Sequence, residues 1–364
     1  MNELEQLLKD TAGRLFGDLC DRAQIEQAEA GQWPAALWDA VHAAGLVDAI
    51  DPEGDGTTLL SLPTLAVIVR ALGEFAVPLP VVETLLAQRQ LALCGRAIPE
   101  GPLTVASPHA HARLERREGR WFLSANLPRV PWGRNARAIV LEAQHGEEAM
   151  VVCLADVKPV RLGVNLAGEP RDDFLVVDHP VPEASIARRA AASRGLAREG
   201  ALLRSLQITG ALGRILAMTV QYSMERAQFG RVIAKFQAVQ HQVATMATHA
   251  AAAEAAAEAA VNSAQERMAD FEIMAAKLRA SEAAGVCCRV AHQVHGAMGF
   301  THEHPLHSYT RRLMSWRDEF ASEAQCAEWI GQEIQRVGGA SLWSYVSTPQ
   351  FHVSATSAGE PLHA

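Results

Sequence analysis

The sequence predicts an α+β protein in three parts. An all-helical N-terminal domain covers residues 1–98, a small, reduced middle β-domain 99–184, and a C-terminal antiparallel four-helix bundle 185–340, followed by a tail over 341–364. Three observations predict it. Apolar residues recur at helical spacing up to about residue 98 and again beyond 185. Between those limits the chain changes to short runs of β-branched and aromatic residues punctuated by Gly, Pro and Asp. The chain has 364 residues, 49% of them hydrophobic, which is enough for two or three domains with sizeable cores.

In the first part, Leu4, Leu7 and Leu8, then Leu15, Phe16 and Leu19, follow a helical period. Trp33-Pro34 opens a second helix through Val41, with Pro34 at a tolerated first-turn position. Residues 51–57 read as a loop from their Gly and Pro content. Helices follow over 62–75 and 81–93, separated by Val77-Pro-Leu-Pro80. In the middle part, 103–106, 121–124, 138–141, 149–154 and 174–177 are expected strands, and Glu118-Gly-Arg-Trp121 an expected hairpin turn. Their spacing suggests a small barrel or sandwich. Four long helices are expected over 196–226, 236–270, 271–297 and 306–337, joined by short connections. Gly210-Ala-Leu-Gly213 predicts close helix packing, and the Ala-rich stretch 244–264 a tightly packed helix.

Composition narrows the function. A net charge of −8 argues against nucleic acid as the main partner. Six cysteines without paired spacing read as buried free thiols in a reducing cytosol, hence a cytoplasmic protein. No signal-like segment is visible at the N-terminus, and no uncharged apolar run approaches the about 18 residues of a membrane span. The sequence lacks Gly-x-Ser-x-Gly, a P-loop and the dinucleotide Gly-x-Gly-x-x-Gly.

Two helix-end stretches stand out. Arg226-Ala-Gln-Phe-Gly230 lies at a break between two long helical patterns, continued by Phe236-Gln237. Arg226 offers a planar fork of donors that matches phosphate, Phe229 suits an apolar ring, and Gly230 suits a left-handed helix cap. The plainer alternative is a helix end with an Arg226–Glu225 pair and a core Phe. Gln293-Val-His-Gly-Ala-Met-Gly-Phe300 places Gly296, Ala297 and Gly299 directly after a helix, where a ligand or simply another backbone approaches closely. His292, His295, His302, His304 and His307, with Glu303, form a sequence cluster that matches no common zinc spacing, so no metal is expected.

Taken together and in this order, Arg226-x-x-Phe-Gly230, Phe236-Gln237, Gln293-x-x-Gly-x-x-Gly299 and Arg311 or Arg312 resemble the acyl-CoA dehydrogenase family. Ala71-Leu-Gly-Glu-Phe-Ala-Val-Pro-Leu-Pro80 resembles its first domain. The resemblance implies α,β-desaturation of an acyl-CoA thioester with FAD, and electron-transfer flavoprotein as acceptor. It implies that Arg226, Gln228, Phe229, Gly230, Phe236, Gln237, Gln293, Gly296, Ala297 and Gly299 meet the ADP half of FAD across a subunit interface.

Two departures qualify it. Thr104-Val-Ala-Ser-Pro-His109 and Arg129-Val-Pro131 stand where the family carries its flavin-ring platform. An ungapped count puts Phe320 at the usual base, with Glu319 one place earlier and a helical turn of about 100° away. Gly200, with Glu199 beside it, falls at the alternative base position. This pattern resembles the smaller, non-catalytic subunit of a heterotetrameric acyl-CoA dehydrogenase acting on bulky CoA thioesters such as those of lipid or steroid degradation. Its partner would be a longer homologous subunit. A self-sufficient homo-oligomer using Glu319 or Glu199 as base, and a flavin-free scaffold on the same fold, are the alternatives.

Overall fold

A computed structural model describes residues 2–50, 58–107, 110–266 and 269–347. The expected loop over 51–57 and the tail beyond 347 lie outside the described residues. The N-terminal domain comprises α1 (Glu3–Leu19), α2 (Arg22–Glu29), α3 (Ala35–Ala43), α4 (Leu62–Glu74) and α5 (Val81–Leu93). Asn2 and Glu5 close a capping box on α1, and Asp21 caps α2. Pro34 stands one place before α3 rather than inside its first turn. The α5 helix runs through the centre, and even Glu83, Gln88, Arg89 and Gln90 on it are buried.

The middle domain is one seven-stranded sheet of β1 (Leu103–Val105), β2 (His111–Arg117), β3 (Arg120–Pro131), β4 (Ala138–His145), β5 (Glu148–Ala155), β6 (Arg171–Val181) and β7 (Ile186–Arg188). Its path is β6-β3-β2-β4-β5-β7, with β1 parallel to β4. The path ends at β6 and at the three-residue β7, so the sheet is open and no barrel closes. Glu118 and Gly119, with φ of 51° and 78°, make the expected two-residue hairpin between β2 and β3. The β2 strand, Arg-rich and half exposed, gives no strand signal in the sequence.

The bundle contains α6 (Gly195–Glu225), the two-stranded ribbon β8 (Ala227–Gln228) and β9 (Arg231–Val232), then α7 (Gln237–Glu266), α8 (Asp270–His295), α9 (Leu306–Trp316) and α10 (Glu323–Val337). Ala253, Ala257, Ala260 and Ala264 form the buried stripe of α7, as its composition predicts. The expected fourth helix is two. The chain breaks after α9, where Phe320 takes φ 62°, and Ser322 caps α10. Part of the expected tail is helical: α11 (Leu342–Ser347) sets Tyr345 against Phe271 with ring centroids 5.1 Å apart.

The N-terminal domain and the bundle interlock through a pair of glycines. A Cβ on Gly73 would stand 1.9 Å from the Gln207 carbonyl oxygen, and one on Gly210 would stand 2.0 Å from that of Arg70. Backbone fills both places, so neither helix has a side chain that can give way. Gly213 has open space before it and plays no such role. Gly210→Ala is expected to destabilise the protein by roughly 1–3 kcal/mol or more in urea unfolding, whereas Gly213→Ala leaves the midpoint unchanged or raises it.

Candidate functional site

Because α6, α7 and α8 run antiparallel, the end of α6, the start of α7 and the end of α8 share one end of the bundle. Tyr222, one turn before Arg226, stacks on His295 with centroids 4.4 Å apart and donates to its carbonyl oxygen at 3.2 Å. The fold therefore gathers Arg226, Gln228, Phe229, Gly230, Phe236, Gln237, Gln293, Gly296 and Ala297 at one corner. Gly230 is not a helix cap: Arg226 ends α6 in an extended conformation, and Phe229 and Gly230 form the tip of the β8–β9 hairpin. Their φ values of 53° and 78° are those of a type I′ turn.

The plain alternative for this corner does not hold. Glu225 accepts from Gln221 instead of pairing with Arg226, whose guanidinium has no partner among the described residues. Phe229 is 90% exposed, so it is no core residue. Arg231 lies over the Phe236 ring, 4.2 Å from its centroid. At the end of α8, Gln293, Gly296 and Ala297 are exposed, and Gly296 takes φ 60°. Gly299 is buried, and a Cβ there would stand 3.0 Å from the His295 Cβ, so its small size serves packing.

A second feature lies between the sheet and the bundle. Val105, Ala106, Ser107, Pro128, Arg129, Pro131, Arg171, Asp318, Glu319 and Phe320 line a cavity of about 110 Å³. Arg129 sits at an irregularity of β3 with φ 53°. Phe320 turns its ring onto Gly200, where a Cβ would come within 2.2 Å of it. Residues 317–322 are not helical, so the expected 100° offset between Glu319 and Phe320 does not apply. Glu199 does not line the cavity. It is buried 3.6 Å from Arg89 on the α5 side of α6, and neither carboxylate oxygen has a hydrogen bond among the described residues.

Glu319 reaches into a chain of buried charges that the sequence alone does not reveal. Its carboxylate meets Arg171 at 2.6 Å and Arg204 at 2.8 Å. Arg204 also pairs with Glu83 at 2.6 Å, and Arg171 with Glu169 at 3.1 Å. Glu169 continues to Arg312 at 3.4 Å, and Arg312 to Glu29 at 2.7 Å. Burial opposes ionisation of Glu169, yet Arg171 and Arg312 overcome it and hold its pKa below the usual carboxylate value. A charged residue inside a mostly apolar helical run, as with Glu83 or Arg204, is the one sequence signal that points to such a network.

Over 322 residues the chain is 30% identical to acyl-CoA dehydrogenase IpdE2 of Mycobacterium tuberculosis, covering 85% of this chain and 91% of that relative. The chain belongs to the acyl-CoA dehydrogenase family. The family's C-terminal domain model matches residues 190–317. A second relative is 28% identical over 326 residues, the acyl-CoA dehydrogenase IpdE2 of Mycolicibacterium smegmatis, with 86% and 93% of the two chains covered. Among solved structures, a chain of the ChsE4-ChsE5 complex from Mycobacterium tuberculosis shares the fold with a TM-score of 0.85 at 21% identity, covering 93% of this chain and 99% of that one. The Tcur3481-Tcur3483 steroid ACAD gives 0.80 at 22%, covering 91% and 98%.

Within this acyl-CoA dehydrogenase fold, all six cysteines are free. Among the described residues no helix is long and apolar enough to cross a membrane. His295 is the titrating group to watch at the corner. Burial lowers its pKa to about 4, its Nδ1 lies 2.8 Å from the Ala291 carbonyl, and its buried Nε2 has no hydrogen-bond partner among the described residues. An unfolded histidine titrates near about 6.5, so the unfolded chain takes up the proton first as pH falls. The stability is then complete above about 6.5 and lost as pH drops toward the folded value. Unfolding free energy is expected to fall between about pH 6.5 and 5, with a shallower slope in His295→Phe. An equal slope in the two proteins, measured by urea unfolding, would contradict this.

Proposed function

We propose that this chain is the smaller subunit of an FAD-dependent, two-component acyl-CoA dehydrogenase. It completes the cofactor site of a longer homologous partner and supplies no catalytic base. One observation carries the reading. The corner that would hold the ADP half of FAD is turned outward, with Phe229 90% exposed and Arg226 without a partner among the described residues. The cavity beside Glu319 is small, about 110 Å³.

The corner matches one half of the cofactor. Arg226 supplies a phosphate-matching fork, Phe229 and Phe236 supply aromatic faces, and the start of α7 supplies backbone N–H groups. These fit a pyrophosphate and an adenine presented by another chain. The flavin ring does not fit here. Ligand pockets run to about 300–1,000 Å³, whereas this cavity measures about 110 Å³. Arg129, Pro131 and Phe320 occupy its walls, and no step of the reaction is routed through it.

When bound in the partner, FAD supplies the hydride acceptor for α,β-desaturation of an acyl-CoA. The family's chemistry asks for a free carboxylate near the acyl α-carbon. Glu319 is held between two guanidinium groups, and Glu199 is sealed away from the cavity. Steroid-type thioesters suit the reading, since one similar fold is that of a steroid ACAD and another belongs to a two-name complex. Electron-transfer flavoprotein is the acceptor that such a dehydrogenase would use. The self-sufficient alternative rests on one observation, that Glu319 lines the cavity.

Co-expression with a longer homologue tests the proposal. The expected result is a yellow complex, while this chain purified alone is colourless. In the complex, Arg226→Ala removes charge-assisted bonds that contribute about 1.5–3 kcal/mol each, so FAD is expected to bind roughly 10- to 100-fold more weakly. A yellow, active homo-oligomer would sink the proposal, as would an Arg226→Ala complex with undiminished FAD affinity.

A further inference from the structure

We propose a binding site for a divalent transition cation of the zinc class, formed by Glu26, His302 and His307. The α2 helix carries Glu26, the turn after Phe300 carries His302, and the first turn of α9 carries His307. One ligand atom from each lies within 4.8 Å of the other two. The rings of His302 and His307 stand 5.1 Å apart, inclined at 72°.

The state of His307 is the second observation. Its Nδ1 sits 2.9 Å from the His304 carbonyl oxygen, which makes Nδ1 the N–H donor and leaves the lone pair on Nε2. That Nε2 is buried and has no hydrogen-bond partner among the described residues. Histidines that bind metals are held this way, with one ring nitrogen bonded to a carbonyl and the other aimed at the ion. Glu26 pairs through one carboxylate oxygen with Arg22 at 2.7 Å, which leaves its other oxygen for the ion.

Two imidazoles and a carboxylate are a donor set for zinc and its neighbours, with a fourth position open to water. Ligand atoms around such an ion stand about 3.3 Å apart, given bonds of about 2.0–2.1 Å. The three groups therefore close by a short movement. His302 is exposed, and a turn of its ring against His307 closes the gap. The sequence spacing hides the site because Glu26 comes from the other end of the chain. Once loaded, the ion ties α2 to the turn that follows Gly296–Phe300. It thereby braces the α8 end of the corner, whatever that corner binds.

The test is zinc titration by calorimetry of the full, tag-free, chelator-stripped protein, together with its partner where the two co-purify. One equivalent is expected to bind, at least 10-fold more weakly in His302→Ala, in His307→Ala and in Glu26→Gln, and unchanged in His111→Ala on the exposed face of β2. His302 is exposed, so its variant keeps the test decisive if His307→Ala fails to fold. Absence of binding, or binding that His302→Ala and Glu26→Gln leave undiminished, overturns the proposal.

Discussion

Seven charged side chains alternate in sign through the middle of this molecule: Glu29, Arg312, Glu169, Arg171, Glu319, Arg204 and Glu83. They come from all three parts of the fold. Glu29 and Glu83 belong to the helical domain, Glu169 and Arg171 to the sheet and its approach, and Arg204, Arg312 and Glu319 to the bundle. Removing a charge from water costs several kcal/mol, and only close partners on both sides offset it. Each member therefore depends on its neighbours, and the three parts are held in one arrangement. One apolar cluster also joins the three parts, from Leu65 and Leu85 through Leu103 and Val140 to Leu206 and Ala260.

That constraint bears directly on chemistry. A carboxylate able to remove a proton from an acyl group must face the substrate with a free lone pair. Glu319 lines the cavity, yet it lies 2.6 and 2.8 Å from the Arg171 and Arg204 guanidinium groups, and its Oε2 makes no hydrogen bond among the described residues. Phe320, next to it, fills the space that Gly200 leaves open. Phe320 and Gly200 thus pack against one another. Arg129 and Pro131 line the same cavity. In the proposed reading these residues act as structure, while Arg226 and Phe229 are turned to solvent.

Much of this was legible in the sequence because it depends on local pattern. The helical periods of α4 to α8, the strand runs of the sheet other than β2 and β7, and the Glu118-Gly119 turn all follow from neighbouring residues. So does the grouping of the two helix-end motifs, since antiparallel helices bring them to one end. What was not legible depends on distant partners. The bond from Arg312 to Glu29 joins residues 283 apart in sequence. The break between α9 and α10 contains neither Gly nor Pro and is fixed by Phe320 packing on Gly200. Gly230 reads equally well as a helix cap or a hairpin tip until the strands on each side are seen to pair.

The most direct measurement is turnover and stability of the assembled complex carrying Glu319→Gln. The substitution keeps the side-chain shape and removes the charge that joins Arg171 to Arg204. If Glu319 is a structural link, the complex loses about 1–3 kcal/mol of stability, since Arg171 keeps Glu169 and Arg204 keeps Glu83 as partners. Turnover per bound flavin stays within about twofold of the unaltered complex. A fall in turnover of about 100-fold or more, with the unfolding midpoint unchanged, would make Glu319 the base and contradict the account.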